Sequence, residues 1–142
     1  MEPRDIALLQ ARGRIAVGAA FLIAPGLFGR AWVGADARRP GAKVLGRAFG
    51  ARDLALGLGV VIALDRGAPV RGWLEASALA DAADFLAGVL DGDALPPALR
   101  ACLLALGSGS SAVAAWLSRA LDEGGGPLPG MTPEAAATGH PA

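Results

Sequence analysis

Histidine and cysteine occur once each, as His140 and Cys102, and tyrosine does not occur at all. A single cysteine excludes an internal disulfide and any CxxC metal or redox motif. A single histidine, set in a Gly/Pro-rich terminal stretch, excludes Ser-His-Asp triads, HExxH zinc sites and paired haem ligands. Charge is scarce too: 18% of residues are charged, against about 25% in an average soluble domain. The signs cancel, 13 basic against 13 acidic, so neither a nucleic-acid surface nor an acidic substrate is implied. No P-loop occurs, and Gly57-Leu58-Gly59 lacks the third glycine and the strand context of a dinucleotide loop. No cofactor is implied.

Apolar residues fill the space that these absences leave. The 142 residues make room for one domain, 54% of it hydrophobic, with a mean hydropathy of +0.46. Four apolar stretches, at 7–33, 44–64, 70–90 and 101–118, are separated by Gly/Pro/charge punctuation at 34–41, 65–69 and 91–97. Each approaches the roughly 20 residues that cross a hydrocarbon core of about 30 Å. Alanine and leucine dominate, β-branched residues are sparse, and lipid admits only helices or closed barrels. Met1-Glu2-Pro3-Arg4-Asp5 lacks the positive n-region of a cleavable signal, so the first stretch reads as an uncleaved span.

The expected fold is therefore all-α. It is a four-helix transmembrane bundle running up-down-up-down over residues 1–121, with spans at about 9–33, 44–64, 70–90 and 99–119. A disordered, Gly/Pro-rich tail follows at 122–142. The rival is a soluble alanine-rich bundle, which needs a charged outer face that the first and fourth stretches do not supply. The expected location is the cell membrane, crossed several times, with the lipid bilayer as the principal partner.

Charges inside the spans are the chemistry-bearing feature. The second span carries Arg47, Arg52 and Asp53, and the third carries Arg71, Glu75, Asp81 and Asp84. Ionisable residues at membrane depth are rare, face the bundle interior and usually pair. The short 65–69 loop predicts an antiparallel hairpin of spans two and three. Counted from Leu64, Asp53 is 11 residues deep and Arg52 is 12; counted from Val70, Asp81 is 11 deep and Asp84 is 14. At 1.5 Å per residue all four lie roughly 16–21 Å from the hairpin end. Gly46, Gly50, Asp53 and Gly57 form one stripe, and Ser77, Asp81, Asp84 and Gly88 another with the same 4, 3, 4 spacing. Small-residue stripes let helices approach closely, so these two are expected to face each other. One arginine does not balance three carboxyls, so at least one of Asp53, Asp81 and Asp84 is expected to be protonated or to have another partner.

Nearer the hairpin end, Glu75 is expected to pair with Arg71 or with Arg14 of the first span. Arg47 lies near the opposite surface, where it can snorkel, and Trp32, Trp73 and Trp116 fall near span ends, as in an interfacial belt. Asp81-Ala-Ala-Asp84 alone is too short to specify a metal site, and none is assigned. Gly46-x-x-x-Gly50 serves internal packing or, in a homo-oligomer, a dimer face.

The stretch Leu45-Gly-Arg-Ala-Phe-Gly-Ala-Arg-Asp-Leu-Ala-Leu-Gly-Leu-Gly59, followed by Trp73 and Asp81-Ala-Ala-Asp84, resembles a family of small four-span membrane proteins found in actinobacteria and fungi and known only as a domain of unknown function. The resemblance covers roughly residues 10–120 and is sharpest at Gly50-Ala-Arg52-Asp53 with Gly57 after it. It implies a four-helix membrane fold and no activity. The alanine/arginine-rich composition fits a bacterium of high GC content.

Three functions compete at this level. The first is a structural or accessory membrane protein whose charged core specifies the fold or a partner contact. The second is an intramembrane enzyme of isomerase or cyclase type acting on a lipophilic small molecule. Asp81 or Asp84 would be its general acid, Arg52 would orient it, and Asp53, Arg47, Glu75, Arg14 and Trp73 would line the substrate. The third is a proton-linked transporter subunit.

Overall fold

The computed structural model describes residues 1–95 and 97–122. The expectation of a disordered tail falls on residues that lie outside the described ones, apart from the helical Asp122. Four long helices make up the body: α1 (Pro3–Ile23), α4 (Pro40–Asp65), α5 (Arg71–Asp91) and α6 (Pro97–Asp122). Two single-turn helices, α2 (Pro25–Phe28) and α3 (Arg30–Val33), and the 3-10 turn Gly34–Arg38 lead from α1 to α4. No strand occurs among the described residues.

Proline opens most of these elements. Pro3, Pro25, Pro40 and Pro97 each begin a helix, where a missing N–H costs nothing and φ is already helical. At α1 the Asp5 carboxylate accepts from the Glu2 backbone N–H at 3.2 Å, closing a capping box. Pro25 also corrects the first expected span. The apolar stretch 7–33 is not one helix, because proline disfavours helical backbone at Ala24 before it, and α1 ends at Ile23. The helix starts earlier instead, at Pro3. Between α4 and α5, Gly67 takes φ +63°, and the Ala68 N–H reaches back to the Ala63 carbonyl at 2.9 Å. This left-handed glycine closes the helix end tightly enough for a short connection.

The four long helices alternate in direction. The lower end of the bundle holds Pro3, the 65–70 turn and Asp122; the upper end holds α2, α3 and the 91–97 turn. Packing is closest between α1 and α4 and between α5 and α6. Glycine sets the first pair. A β-carbon on Gly18 would lie 2.6 Å from the Leu54 backbone nitrogen, and one on Gly50 would lie 2.7 Å from the Gly18 carbonyl. One on Gly57 would lie 2.6 Å from the Ala11 carbonyl. These helices touch backbone to backbone, which only a residue without a side chain permits.

The glycine stripe of α4 therefore exists but faces α1, not α5. Likewise Gly88, on the stripe of α5, meets Leu103 and Leu104 of α6. α4 and α5 pack less closely than either of these pairs despite their short connection. At their lower end the Trp73 ring lies against Gly59, in the place a side chain there would take.

A sealed apolar core fills the lower half: Ala7, Ala11, Val60, Ala63, Leu64, Val70, Leu74 and Leu117 are all buried together. The middle is polar, with Arg14, Asp53, Ser77 and Asp81 buried. Two helices, Pro3–Ile23 and Pro97–Leu121, are long and apolar enough to cross a membrane. Length and composition do not single out α4 and α5 in the same way, because Arg47, Arg52, Asp53, Glu75, Asp81 and Asp84 interrupt them.

Candidate functional site

Five ionisable side chains from three helices meet at mid-height. Arg14 of α1 donates from Nη1 to Asp53 Oδ1 of α4 at 3.0 Å, and from Nη2 to Asp81 Oδ2 of α5. The same Nη2 lies 3.4 Å from the Ser77 carbonyl. Arg52 grips Asp84 with both ends of its fork, Nη1 to Oδ1 at 2.9 Å and Nη2 to Oδ2 at 2.6 Å. Its Nη2 also reaches Asp53 Oδ1 at 3.2 Å. Asp53 thus bridges the two arginines, and the network runs Asp81–Arg14–Asp53–Arg52–Asp84. Bidentate, charge-assisted contacts of this kind are among the strongest polar contacts available to a protein. The Arg52 guanidinium also lies over the Phe49 ring, 4.8 Å from its centroid, which fixes the plane of the fork.

Two guanidinium groups face three carboxylates, so the fully ionised network carries a formal charge of −1. Its polar capacity is not exhausted. Asp53 Oδ2 and Asp81 Oδ1 accept no hydrogen bond from the described residues. Arg14 Nε, Arg52 Nε and Ser77 Oγ are buried and meet no partner among the described residues.

The structure redistributes the residues expected at the site. Arg52, Asp53, Asp81 and Asp84 come together, joined by Arg14. Arg14 does not pair with Glu75, which instead binds Arg71 at 2.7 Å on the exposed lower rim. Arg47 is exposed toward the upper end, away from the network. Trp73 sits on Gly59 and lines a separate cavity of about 300 Å³ at the lower end. Trp73 and Trp116 are exposed, whereas Trp32 is turned inward, edge-on to Phe21 at 6.0 Å and near Phe49 at 5.9 Å.

Arg14 is the residue that sequence reasoning misplaced. With a first span starting near residue 9, Arg14 falls close to the span's end. Measured from the true start at Pro3 it is 11 residues in, the same depth as Asp53 measured from Leu64. Pro3 and the Glu2/Asp5 pair were the available signal.

A groove of about 290 Å³ runs beside the network, between α1 and α6. Arg14, Asp53, Asp81 and Asp84 form its floor, Gln10 and Ser110 its lower edge, and Trp32 and Phe49 its upper wall. The lower edge is latched, since Gln10 Nε2 donates to Ser110 Oγ at 2.8 Å and to its carbonyl at 3.1 Å. Gly13, Val17 and Leu106 line the groove and are themselves exposed, so its mouth opens sideways between the helices. A second cavity of about 280 Å³ shares Trp32, Phe49, Asp84 and Leu103 with it and continues upward to Asp91. A third, of about 250 Å³ and almost wholly apolar, lies behind Trp32 and Phe49.

Comparison with models of known protein families, with curated proteins and with solved structures finds no match.

Proposed function

We propose that this chain is a four-span integral membrane protein with a structural or accessory role, whose buried arginine–aspartate network holds the helices in register. The supporting observation is the distribution of charge between inside and outside. On α5, every exposed residue from Ala76 to Leu90 is alanine, leucine or valine, while Ser77, Asp81 and Asp84 turn inward. The exposed positions of α4 from Ala48 to Ile62 are alanine, leucine and isoleucine, and those of α6 from Ala101 to Trp116 carry no charge. A soluble bundle has the opposite arrangement, with polar residues out and apolar residues in. The two most apolar helices are only 28% and 22% buried over their best windows, unlike core helices of a soluble protein.

The uncharged belt on α5 is 15 residues tall, or roughly 22 Å. Arg71 and Glu75 lie exposed at one margin and Lys43, Arg47 and Asp91 at the other, while Arg12 of α1 is exposed two residues below Arg14 and reaches the lower margin only by the length of its side chain. Long basic side chains at the margins reach the interface and bring the belt close to the hydrocarbon thickness. The resemblance carried by Gly50-Ala-Arg52-Asp53 belongs to the same reading.

The test is single-cysteine topology mapping in a Cys102→Ser background. Arg66→Cys and Asp93→Cys are expected to react with an impermeant maleimide from opposite faces of sealed vesicles, and Ala83→Cys from neither. Labelling of 66 and 93 from the same face, or extraction of the chain without detergent, would overturn the reading.

A second reading is favoured by the groove. Asp81 and Asp84 border a cavity of about 290 Å³ that opens sideways at mid-bilayer depth, near the lower end of the size range of small-molecule sites. A lipophilic molecule entering from the membrane would meet carboxyl groups there, which suits binding or general-acid catalysis. A through-transport role gains no such support, since the buried apolar residues of the lower half close the path on that side.

A further inference from the structure

Three features of the groove, taken together, define its ligand. Fully ionised, the network is one positive charge short of neutrality. Asp53 and Asp81, 6% and 7% exposed, both line the cavity, and each keeps one carboxylate oxygen that no donor of the described residues satisfies. The wall above them is aromatic, Trp32 and Phe49, a surface along which the apolar part of a ligand can lie while its polar end meets the carboxylates. Buried ionic groups left short of partners are expensive, so a site of this kind gains most from an occupant that brings the missing charge with its own N–H donors.

We propose that the groove between α1 and α6 binds a lipophilic primary amine, its ammonium at Asp53, Asp81 and Asp84 and its apolar body along Trp32 and Phe49. The proposal rests on the second reading above and names the ligand class that reading leaves open. Depth separates a single-chain amine from a bilayer aminolipid. Asp81 is ten residues from either end of α5, or roughly 15 Å, too deep for a headgroup anchored at the interface. An amine on a single apolar chain carries no phosphate that must stay in water.

The experiment uses the full chain in neutral maltoside micelles, with Trp73→Phe and Trp116→Phe leaving Trp32 as the only tryptophan. Three probes share one undecyl chain with a dansyl group at one end, and carry an ammonium, a hydroxyl or a carboxylate at the other. Energy transfer from Trp32 to dansyl reports occupancy. The ammonium probe is expected to bind about tenfold or more tightly than the other two, and unlabelled undecylamine should displace it. Asp84→Asn, at a position 30% exposed, should reduce that preference to about twofold or less. Gly13→Leu, which places a side chain in the groove where no atom lies within 4 Å of the new β-carbon, should abolish transfer from all three probes. Equal affinity for the three probes, a preference that survives Asp84→Asn, or binding untouched by Gly13→Leu would each overturn the proposal. Vesicles of phosphatidylethanolamine that displace the amine probe, where phosphatidylcholine vesicles do not, would also overturn it, by assigning the site to a bilayer lipid. The topology experiment decides the membrane reading separately, so either can fail alone.

Discussion

Arg14 and Asp53 lie 39 positions apart in the chain and meet at 3.0 Å in the interior. That contact ties α1 to α4, and through the second amine of the same guanidinium it ties both to α5. Arg14 is thus the only side chain of the network that spans three helices, and it is 7% exposed.

Removing Arg14 should therefore be the costliest single change in the network. Arg14→Leu leaves Asp53 and Asp81 without their shared partner in an apolar surround, with an expected loss of about 3–5 kcal/mol. Arg52 is about one-third exposed, so water partly replaces it, and Arg52→Leu should cost about 1–3 kcal/mol. Thermal unfolding in detergent measures both. An Arg52 loss larger than the Arg14 loss would contradict the observed geometry.

Double-mutant cycles should rank the pairs. Arg52 should couple most strongly to Asp84, which it holds with two bonds, then to Asp53, and least to Asp81, which it does not touch. For Arg14 the strong partners are Asp53 and Asp81. Direct pairs should give about 0.5–3 kcal/mol of coupling. Strict additivity for Arg52 with Asp84 would mean that the fork seen here does not exist in the protein.

Glycine substitutions should separate backbone contact from mere location in a helix. Gly50→Ala and Gly57→Ala force a β-carbon to within 2.7 Å and 2.6 Å of a carbonyl oxygen on α1, so the helices must part, at a cost of about 1–3 kcal/mol. Gly109→Ala meets nothing within 4 Å and should be neutral or stabilising by up to about 1 kcal/mol through helix propensity. The same melting assay reads all three, and equal effects would refute the α1–α4 contact.

The latch at the groove's lower edge should govern entry. Gln10→Leu removes the donor to Ser110 and should leave the melting temperature within a few degrees while changing probe entry rates. An unchanged stopped-flow rate for the ammonium probe would show that the latch plays no part.

Helices, their breaks and the mid-depth carboxylates were legible because punctuation and periodicity are local signals. Pro40, Pro97 and Gly67 act on the residues beside them, and α4, α5 and α6 fall close to the stretches read from the sequence. Pairing was less legible. The glycine stripe of α4 was readable as a close-packing face, but nothing within α4 says which helix fills it. The short 65–70 connection pointed to α5, whereas the helix that meets the stripe backbone to backbone is α1, a choice made only in three dimensions. Arg14 failed for a different reason. Its depth depends on where α1 begins, and hydropathy placed that start at the first apolar residues instead of at Pro3, ahead of Arg4 and Asp5. The groove itself left no trace in the sequence, since Gln10, Trp32, Phe49 and Ser110 come from four separate elements.

The packed lower half has a consequence for the direction of traffic. With Leu64, Leu74 and Leu117 closing the lower end and the mouth lying between Gly13 and Leu106 above the Gln10–Ser110 latch, the interior has no way out below: whatever enters leaves sideways or upward, past Trp32 and Phe49. The molecule consequently has a closed back and an open front. Its two rims are nearly matched in basic residues, with Arg4, Arg12, Arg66, Arg71 and Arg119 at the back and Arg30, Arg38, Arg39, Lys43, Arg47 and Arg100 at the front. If the chain spans a membrane, turning it over would barely alter its rims, yet it would exchange the side toward which the open front faces.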